Sequence, residues 1–256
     1  MSAKDKVVIV TGGARNMGFH CAAGLVRRGA RVAIVARSEA ALAEAKQKLG
    51  GDVLTIAAQL SDRAQIEEAI ARVADHFGGV DGIVNNAGVA YPNRVEKLDP
   101  DQVMEQTAIN FLAPIFACRA IIPYLRARGG GRIVNVSSAT VHVEGAFSFL
   151  SIYGATKAGL ERFTDELRYE VQRDNIAVTS FIPGDTSTGF GTGWDPDVVQ
   201  EAYADWMERG PYWNGMMPVE AVGEEIAHIF DLPPNVTYEF MMLRPVGRSG
   251  KVLEGS

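Results

Sequence analysis

A chain of 256 residues, of which 47% are hydrophobic, can bury one large core, and single α/β domains reach this size. The net charge of −6 and the lack of a basic stripe argue against a protein that binds nucleic acid. No run approaches about 20 uninterrupted apolar residues, and the first strand begins too early for a signal peptide, so we expect a cytoplasmic protein without a membrane span.

Strand-like and helix-like patterns alternate along the whole chain. Runs of β-branched residues predict strands near residues 6–11, 31–36, 53–58, 80–84, 131–137, 176–182 and 236–243. Apolar residues at helical spacing predict helices near 16–28, 38–49, 62–77, 100–127, 152–173, 196–209 and 219–231. This alternation predicts an α/β fold with a doubly wound, seven-stranded parallel sheet and helices on both faces, in one domain over residues 1–256.

The first predicted strand runs into a glycine-rich turn and then a helix. Gly12, Gly13 and Gly18 would let the backbone approach a diphosphate, and the helix N-terminus supplies amide donors. A glycine-rich turn can also be purely structural, but the flanking strand and helix favour a dinucleotide site.

The end of the second strand bears on the choice of dinucleotide. A carboxylate there would bind the ribose hydroxyls of NAD, but this chain has Ala36 followed by Arg37, and Arg15 lies in the glycine turn. Two guanidinium groups suit the additional phosphate of NADP, although either could be a solvated surface arginine. We therefore expect NADP(H), with NAD(H) as the alternative. Ser38 is predicted to cap the helix that follows.

Asn110 and Pro114 lie four residues apart within the long predicted helix 100–127. Proline has no N–H, so the carbonyl of Asn110 loses its intrahelical partner and a kink is expected there. The alternative is a bend that serves packing alone.

Tyr153 and Lys157 also stand four residues apart, on one face of a predicted helix. A nearby ammonium would lower the pKa of the phenol from its usual value of about 10. A tyrosine adjusted in this way can exchange a proton with a substrate oxygen. Taken alone, the pair could equally be a surface tyrosine above a solvated lysine.

Further motifs accompany this pair in a fixed order along the chain. Together they resemble the short-chain dehydrogenase/reductase family over nearly the whole length: Thr11-Gly12 with Gly18, Asn85-Asn86-Ala87-Gly88, Ser138, Tyr153 with Lys157, and Pro183-Gly184. The resemblance implies a Rossmann-type fold and a hydride transfer between a nicotinamide and a carbonyl or alcohol carbon.

The resemblance also assigns roles to individual residues. It implies that Ser138 positions the substrate oxygen, that Tyr153 donates or removes the proton, and that Lys157 lowers the tyrosine pKa and binds the nicotinamide ribose. The carbonyl of Asn110 would hold a water in contact with Lys157. The implied cofactor-binding residues are Gly12, Arg15, Asn16, Met17, Gly18, Arg37, Ser38, Gln59, Leu60, Asn86, Ala87, Gly88, Tyr153, Lys157, Pro183, Gly184, Thr186 and Thr188.

Two positions depart from the family pattern. Asn16 replaces the middle glycine of the turn, and asparagine tolerates left-handed backbone better than other non-glycine residues. Gln59 replaces an aspartate that contacts the adenine amine in relatives, and its amide oxygen could accept the same hydrogen bond. Leu60 would then pack on the adenine ring.

A substrate lid is expected at about residues 185–217, where all three tryptophans fall within one 20-residue stretch. These aromatic residues could merely pack a short helix onto the domain, but an aromatic-lined pocket is also the usual form of a small-molecule site. Glycines at 189, 191 and 193 would serve as hinges. The predicted substrate-lid residues are Phe147, Phe149, Phe190, Trp194, Trp206 and Trp213.

These features predict an NADP(H)-dependent alcohol dehydrogenase or ketoreductase acting on a bulky hydrophobic or aromatic small molecule. The alternatives are a 3-oxoacyl carrier-protein reductase, which the missing Asp-Gly-Gly ending disfavours, and a catalytically silent NADP(H)-binding sensor. An epimerase or dehydratase would need a larger substrate domain. His142 is expected to be an ordinary loop histidine, and no metal site is expected. Relatives associate through the helices 100–127 and 152–173, so a homodimer or homotetramer is expected.

Overall fold

The protein, described by a computed structural model over residues 3–143, 147–209 and 215–246, contains the predicted seven-stranded parallel sheet. Its order is β3-β2-β1-β4-β5-β6-β9, so the winding direction reverses between β1 and β4. A short parallel pair, β7 with β8, forms a separate two-stranded sheet. The strands are β1 Val7–Thr11, β2 Arg31–Ala36, β3 Val53–Ala57, β4 Gly82–Asn85, β5 Gly131–Val136, β6 Ile176–Pro183, β7 Thr186–Ser187, β8 Met217–Pro218 and β9 Phe240–Leu243.

The helices connect successive strands and cover both faces of the sheet. The Ser38 hydroxyl accepts a hydrogen bond from the Ala41 N–H at 3.2 Å and caps the second helix, which confirms that sequence prediction. The α-helices are α1 Asn16–Arg27, α2 Glu39–Leu49, α3 Arg63–Phe77, α4 Pro100–Thr107, α5 Ala113–Ala127, α6 Ser151–Val171, α7 Pro196–Arg209 and α8 Val219–His228.

The central strand β1 is buried on both faces because its alternate side chains enter two different cores. Val7 and Ile9 pack with residues of α3, α5 and α6, whereas Val8 and Val10 pack with residues of α1, α2 and α8. Strands covered on both faces read as continuous apolar runs, which is why these strands were recognisable in the sequence.

The predicted helix 100–127 differs from a regular α-helix in its middle. A π-helical turn, Ala108–Leu112, separates α4 from α5, and the Ala113 N–H donates to the carbonyl of Ala108 five residues earlier. Pro114 is the second residue of α5, just beyond this wider turn. The irregularity expected at Asn110 is therefore present, in the form of a π-helical turn.

The last strand is shorter than the predicted 236–243, because only Phe240–Leu243 pairs with β6. The guanidinium of Arg132 donates to the carbonyls of Leu232, Pro233 and Val236 and so holds the preceding segment as a loop. β-Propensity in the sequence could not anticipate this long-range anchor.

By length and composition alone, the helical run Pro100–Ala127 is long and apolar enough to cross a membrane. Of its most apolar 18-residue stretch, 44% is buried within the domain. Its residues Ala117, Ile121 and Leu125 belong to the core. Helices of a protein core also reach this length and composition, so the run gives no clear sign of a membrane span.

Candidate active site

A cavity of about 620 Å³ opens at the carboxyl ends of the strands, next to the point where the strand order reverses. In open α/β sheets this crevice is where ligands bind. Its wall combines the glycine turn, the ends of β4, β5 and β6, the start of α6 and the segment after β7. Most of the cofactor, catalytic and lid residues predicted from the sequence thus line one cavity.

The glycine turn has room for a diphosphate only because side chains are missing there. Gly12 has a φ of +66°, and a Cβ at Gly18 would lie 2.4 Å from the Gly12 carbonyl oxygen. Asn16 has a φ of +51°, the left-handed conformation that asparagine tolerates, so the turn survives without its middle glycine. The Asn86 side chain donates to the Thr11 carbonyl at 2.9 Å and fixes the floor of the turn.

The first turn of α1 can accept an anion. Arg15 is its N-cap residue and makes no side-chain capping bond, and the first turn contains no acidic residue. The backbone N–H groups of this turn are therefore not used by a capping side chain, and no carboxylate opposes a negative ligand. The residues present fit a dinucleotide diphosphate.

The surroundings of Arg37 bear on the choice between NADP and NAD. Ala36 and Arg37 both line the cavity, and so does Arg15. The Arg37 Nη1 lies 3.3 Å from Oε1 of Glu105 on α4, while the Tyr91 hydroxyl donates to Oε2 of the same carboxylate at 2.7 Å. Arg37 is 56% exposed, so this pair is weakly held, and its guanidinium can exchange the carboxylate for a phosphate.

Tyr153, Ser138 and Lys157 meet at the floor of the cavity. Tyr153 is 9% exposed and Lys157 is 2% exposed, and the Lys157 Nζ lies 5.8 Å from the centroid of the tyrosine ring. The Lys157 ammonium donates to the Val136 carbonyl at 2.7 Å. Ser138 lines the same cavity, and its hydroxyl accepts a hydrogen bond from the Thr140 N–H at 3.2 Å.

The pKa values of this group differ from the sequence expectation. Burial raises the pKa of Tyr153 to about 12, against a smaller lowering by the hydrogen bond with Ser138. Burial lowers the pKa of Lys157 to about 8, and the negative charge of Glu161 opposes that change. The pKa of Tyr153 therefore lies above its ordinary value and not below it as the sequence predicts, because desolvation is the larger effect. That Lys157 lowers this pKa stays a prediction.

Asn110 is fully buried and does not line the cavity. Its side chain bridges to the loop after β4, since Nδ2 donates to the Val89 carbonyl and Oδ1 accepts from the Val89 N–H, both at 2.8 Å. Nδ2 also lies 3.3 Å from the Thr156 hydroxyl. The side chain thus ties the π-helical turn to α6 and to the loop. That the Asn110 carbonyl holds a catalytic water stays a prediction.

Aromatic residues of the lid cover Tyr153. The rings of Tyr153 and Phe190 are 5.3 Å apart, and those of Phe190 and Trp194 are 5.9 Å apart. The indole N–H of Trp194 donates to the Ala90 carbonyl, and that of Trp206 to the Ser148 carbonyl, each at 2.7 Å. The lid is anchored to the domain by these bonds, and the β7–β8 pairing joins its two ends.

Most of the predicted site residues line this cavity, and a few do not. Ser38 uses its hydroxyl to cap α2, and Gln59 is exposed with its N–H bonded to the Gln65 side chain. Phe149 does not line the cavity; its ring lies beside the Arg94 guanidinium, 5.1 Å away. Trp213 falls outside the described residues. The predicted residues that line the wall are Gly12, Arg15, Asn16, Met17, Gly18, Arg37, Leu60, Asn86, Ala87, Gly88, Ser138, Phe147, Tyr153, Lys157, Pro183, Gly184, Thr186, Thr188, Phe190, Trp194 and Trp206.

Two acidic residues near the site escaped the sequence analysis. Glu105 contacts Arg37, and nothing in the sequence connects residues so far apart. Glu161 is buried on α6 one turn after Lys157 and contacts His142. Its spacing of four residues from Lys157 was the one available signal. Within the described ranges, no cluster of three metal-ligating side chains is found.

Comparisons with known proteins agree with this geometry. The sequence model of the family described as short chain dehydrogenase matches residues 6–198. An uncharacterized oxidoreductase of Staphylococcus epidermidis is 27% identical over 243 residues, covering 95% of this chain and 98% of the relative. An 11-beta-hydroxysteroid dehydrogenase-like protein of Arabidopsis thaliana is 36% identical over 194 residues, covering 73% of this chain and 61% of the relative.

The fold also matches a solved structure, an alcohol dehydrogenase from the archaeon Thermococcus sibiricus complexed with 5-hydroxy-NADP. The TM-score is 0.79 at 26% sequence identity, and the match covers 95% of this chain and 97% of the other. The similarity extends over nearly the entire sheet and its helices.

Proposed function

The chain belongs to the short-chain dehydrogenase/reductase family of oxidoreductases, and from this premise we propose that it interconverts a secondary alcohol and a ketone with NADP(H). The observation that carries the proposal is that Tyr153, Ser138 and Lys157 line the same cavity as the aromatic residues of the lid. A tyrosine and a serine held together can hydrogen-bond one substrate oxygen.

Each of these three residues has a separate role at the substrate oxygen. The Ser138 hydroxyl orients it, and the Tyr153 hydroxyl gives it a proton in reduction and removes the proton in oxidation. The nicotinamide, when bound, supplies or accepts the hydride. Lys157 holds positive charge near the phenol, which favours the deprotonated tyrosine left after proton donation. The Tyr153 pKa of about 12 keeps the phenol protonated before reduction.

The cofactor choice follows from the charges around the adenosine end of the cavity. Ala36 offers no carboxylate for ribose hydroxyls, and Arg15 and Arg37 both line the wall. Glu105 forms an ion pair with Arg37, so a 2′-phosphate must compete with this carboxylate for the guanidinium. The relative from Thermococcus, complexed with an NADP derivative, supports the same choice. We therefore assign NADP(H) in preference to NAD(H).

The substrate class follows from the lid. Phe190, Trp194 and Trp206 present an aromatic surface above Tyr153, which suits a bulky hydrophobic or aromatic ketone and gives a charged substrate little to pair with. The steroid dehydrogenase-like relative from Arabidopsis is in keeping with such a substrate. The proposal places this soluble enzyme in the cytoplasm, without nucleic-acid or membrane partners.

The test is the absorbance of the nicotinamide with NADPH and with NADH, over aromatic, steroid-like and aliphatic ketones and one 3-oxoacyl thioester. We expect NADPH oxidation on the bulky ketones, and its loss by about 100-fold or more in Tyr153→Phe, because the proton donor is removed. Tyr169→Phe, an exposed tyrosine on the same helix, is the matched control and should keep full activity.

Other results would change the assignment. Faster turnover with NADH would overturn the cofactor choice, and turnover confined to the thioester would replace the substrate class. NADPH binding with no turnover on any carbonyl would indicate a silent cofactor sensor.

A further inference from the structure

Glu161 is a buried carboxylate that the mechanism above does not use. It lies on α6 one turn after Lys157, and only 7% of the residue is exposed. A buried charge is costly unless other groups compensate it. Its presence beside the catalytic wall therefore calls for a physical reason.

Both oxygens of this carboxylate are held by the segment that carries Ser138. Oε1 accepts the hydroxyl of Ser137, at the end of β5, and Oε2 lies 2.8 Å from the Nε2 of His142. Between these residues, Ser138 begins the short 3-10 turn Ala139–Val141, and its hydroxyl accepts from the Thr140 N–H. Glu161 thus connects α6 to the segment that presents the catalytic serine.

Lys157 lies one turn before Glu161 on α6, so the two side chains project from the same face of the helix. Lys157 is 2% exposed, and its ammonium donates to the neutral carbonyl of Val136. Burial favours the uncharged amine, whereas the charge of Glu161 favours the ammonium. Among the described residues, the charged or titratable groups that act on Glu161 are His142, which follows the 3-10 turn, and Lys157 from α6.

We propose that Glu161 is a positioning residue of the active site, fixed by Ser137 and His142, whose carboxylate keeps the ammonium of Lys157 charged beside Tyr153. The importance of this charge for catalysis rests on the proposed function, but the charge itself does not. His142, expected to be an ordinary loop histidine, is in this arrangement the partly exposed end of the network.

The protonation of Lys157 can be measured directly in the full chain without cofactor or substrate. Carbon-13 NMR of labelled lysine side chains reports each ammonium through its ε-carbon, and Lys157→Arg identifies the Lys157 resonance. In Glu161→Gln, which keeps the size and polarity of the side chain, we expect the Lys157 titration midpoint to fall by about one pH unit. Glu166→Gln, an exposed carboxylate on the same helix paired with Arg162, is the matched control and should leave the midpoint unchanged.

The charge-preserving variant Glu161→Asp separates electrostatics from packing. It should give a midpoint between those of the wild type and Glu161→Gln, because the charge is kept but withdrawn by one methylene. If Glu161→Gln does not fold, a wild-type midpoint in Glu161→Asp overturns the proposal. If it folds, an unchanged Lys157 midpoint in Glu161→Gln overturns it.

A kinetic measurement relates this charge to catalysis. With a ketone that the enzyme reduces, the alkaline limb of the kcat profile should move to lower pH in Glu161→Gln, with KM little changed. A shifted NMR midpoint combined with an unmoved alkaline limb would reject the catalytic part of the proposal. If no ketone is reduced at all, the proposed function fails while the NMR result still decides the role of Glu161.

Discussion

Burial disfavours the charged form of Lys157, and the free energy of unfolding therefore depends on pH. Its pKa is about 8 in the folded protein, against an ordinary value of 10.5. Below about pH 8 both the folded and the unfolded chains bind the proton, and the full cost of burying the charge is present. Between about pH 8 and pH 10.5 the unfolded chain binds more protons than the folded chain, so the free energy of unfolding rises with pH.

We therefore predict that the wild type gains about 2 kcal/mol of stability relative to Lys157→Met between about pH 7 and pH 9.5. Urea unfolding of both proteins at several pH values measures this difference. The comparison removes the contributions of other titrating groups that the two proteins share. A difference that stays constant with pH, or that shrinks as the pH rises, would contradict the lowered pKa of Lys157.

Single residues show where sequence reasoning succeeded and where it failed. Tyr153 and Lys157 were identified because four-residue spacing on a helix is local, and the helix formed where it was predicted. The raised pKa of the tyrosine was missed, because it is caused by burial of the phenol. The extent of burial depends on the tertiary fold and cannot be read from the local sequence. The Arg37–Glu105 pair was missed for the same reason, since only the tertiary fold brings α4 to the end of β2.

At the scale of elements, local chemistry determined most boundaries. Helix α7 begins and ends at the predicted residues, and the Asp99 side chain caps α4 by accepting from the Asp101 N–H. The exceptions have long-range causes. Arg132 holds the segment before β9 as a loop, and the π-helical turn before Pro114 replaces the simple kink expected there.

The π-helical turn Ala108–Leu112 leads to a prediction for Pro114. In Pro114→Ala the new N–H can bond to the carbonyl of Asn110, which favours a regular α-helix and moves Asn110 relative to Val89 and Lys157. We expect kcat to fall by about tenfold or more, because small displacements in an active site are costly. We also expect the melting temperature to stay the same or to rise.

Pro123→Ala in α5 provides the control for this experiment. Pro123 is also inside the helix but lies away from the cavity, so its replacement should leave kcat unchanged. Steady-state kinetics and thermal unfolding of both variants make the comparison. Equal kcat in Pro114→Ala and the wild type would show that the turn serves packing alone.

At the scale of the molecule, the long helices leave apolar surface uncovered. Only 44% of the apolar window of Pro100–Ala127 is buried within one chain, and Leu112 and Met104 are exposed. On the neighbouring α6, Tyr169 is 73% exposed. Exposed apolar groups on adjacent helices are typical of a surface that a protein partner covers. We propose that a second copy of this chain packs here, which gives a homodimer or a homotetramer.

Light scattering coupled to gel filtration should give a mass of two or four times 27.6 kDa for the wild type. Leu112→Arg places a charge in the proposed contact and should shift the mass toward 27.6 kDa, because an unpaired charge is costly in an apolar interface. Val95→Arg is the matched control, since Val95 is 69% exposed but lies outside both long helices, and it should keep the wild-type mass. A monomeric wild type would reject the association, and equal dissociation by both variants would place the contact elsewhere on the surface.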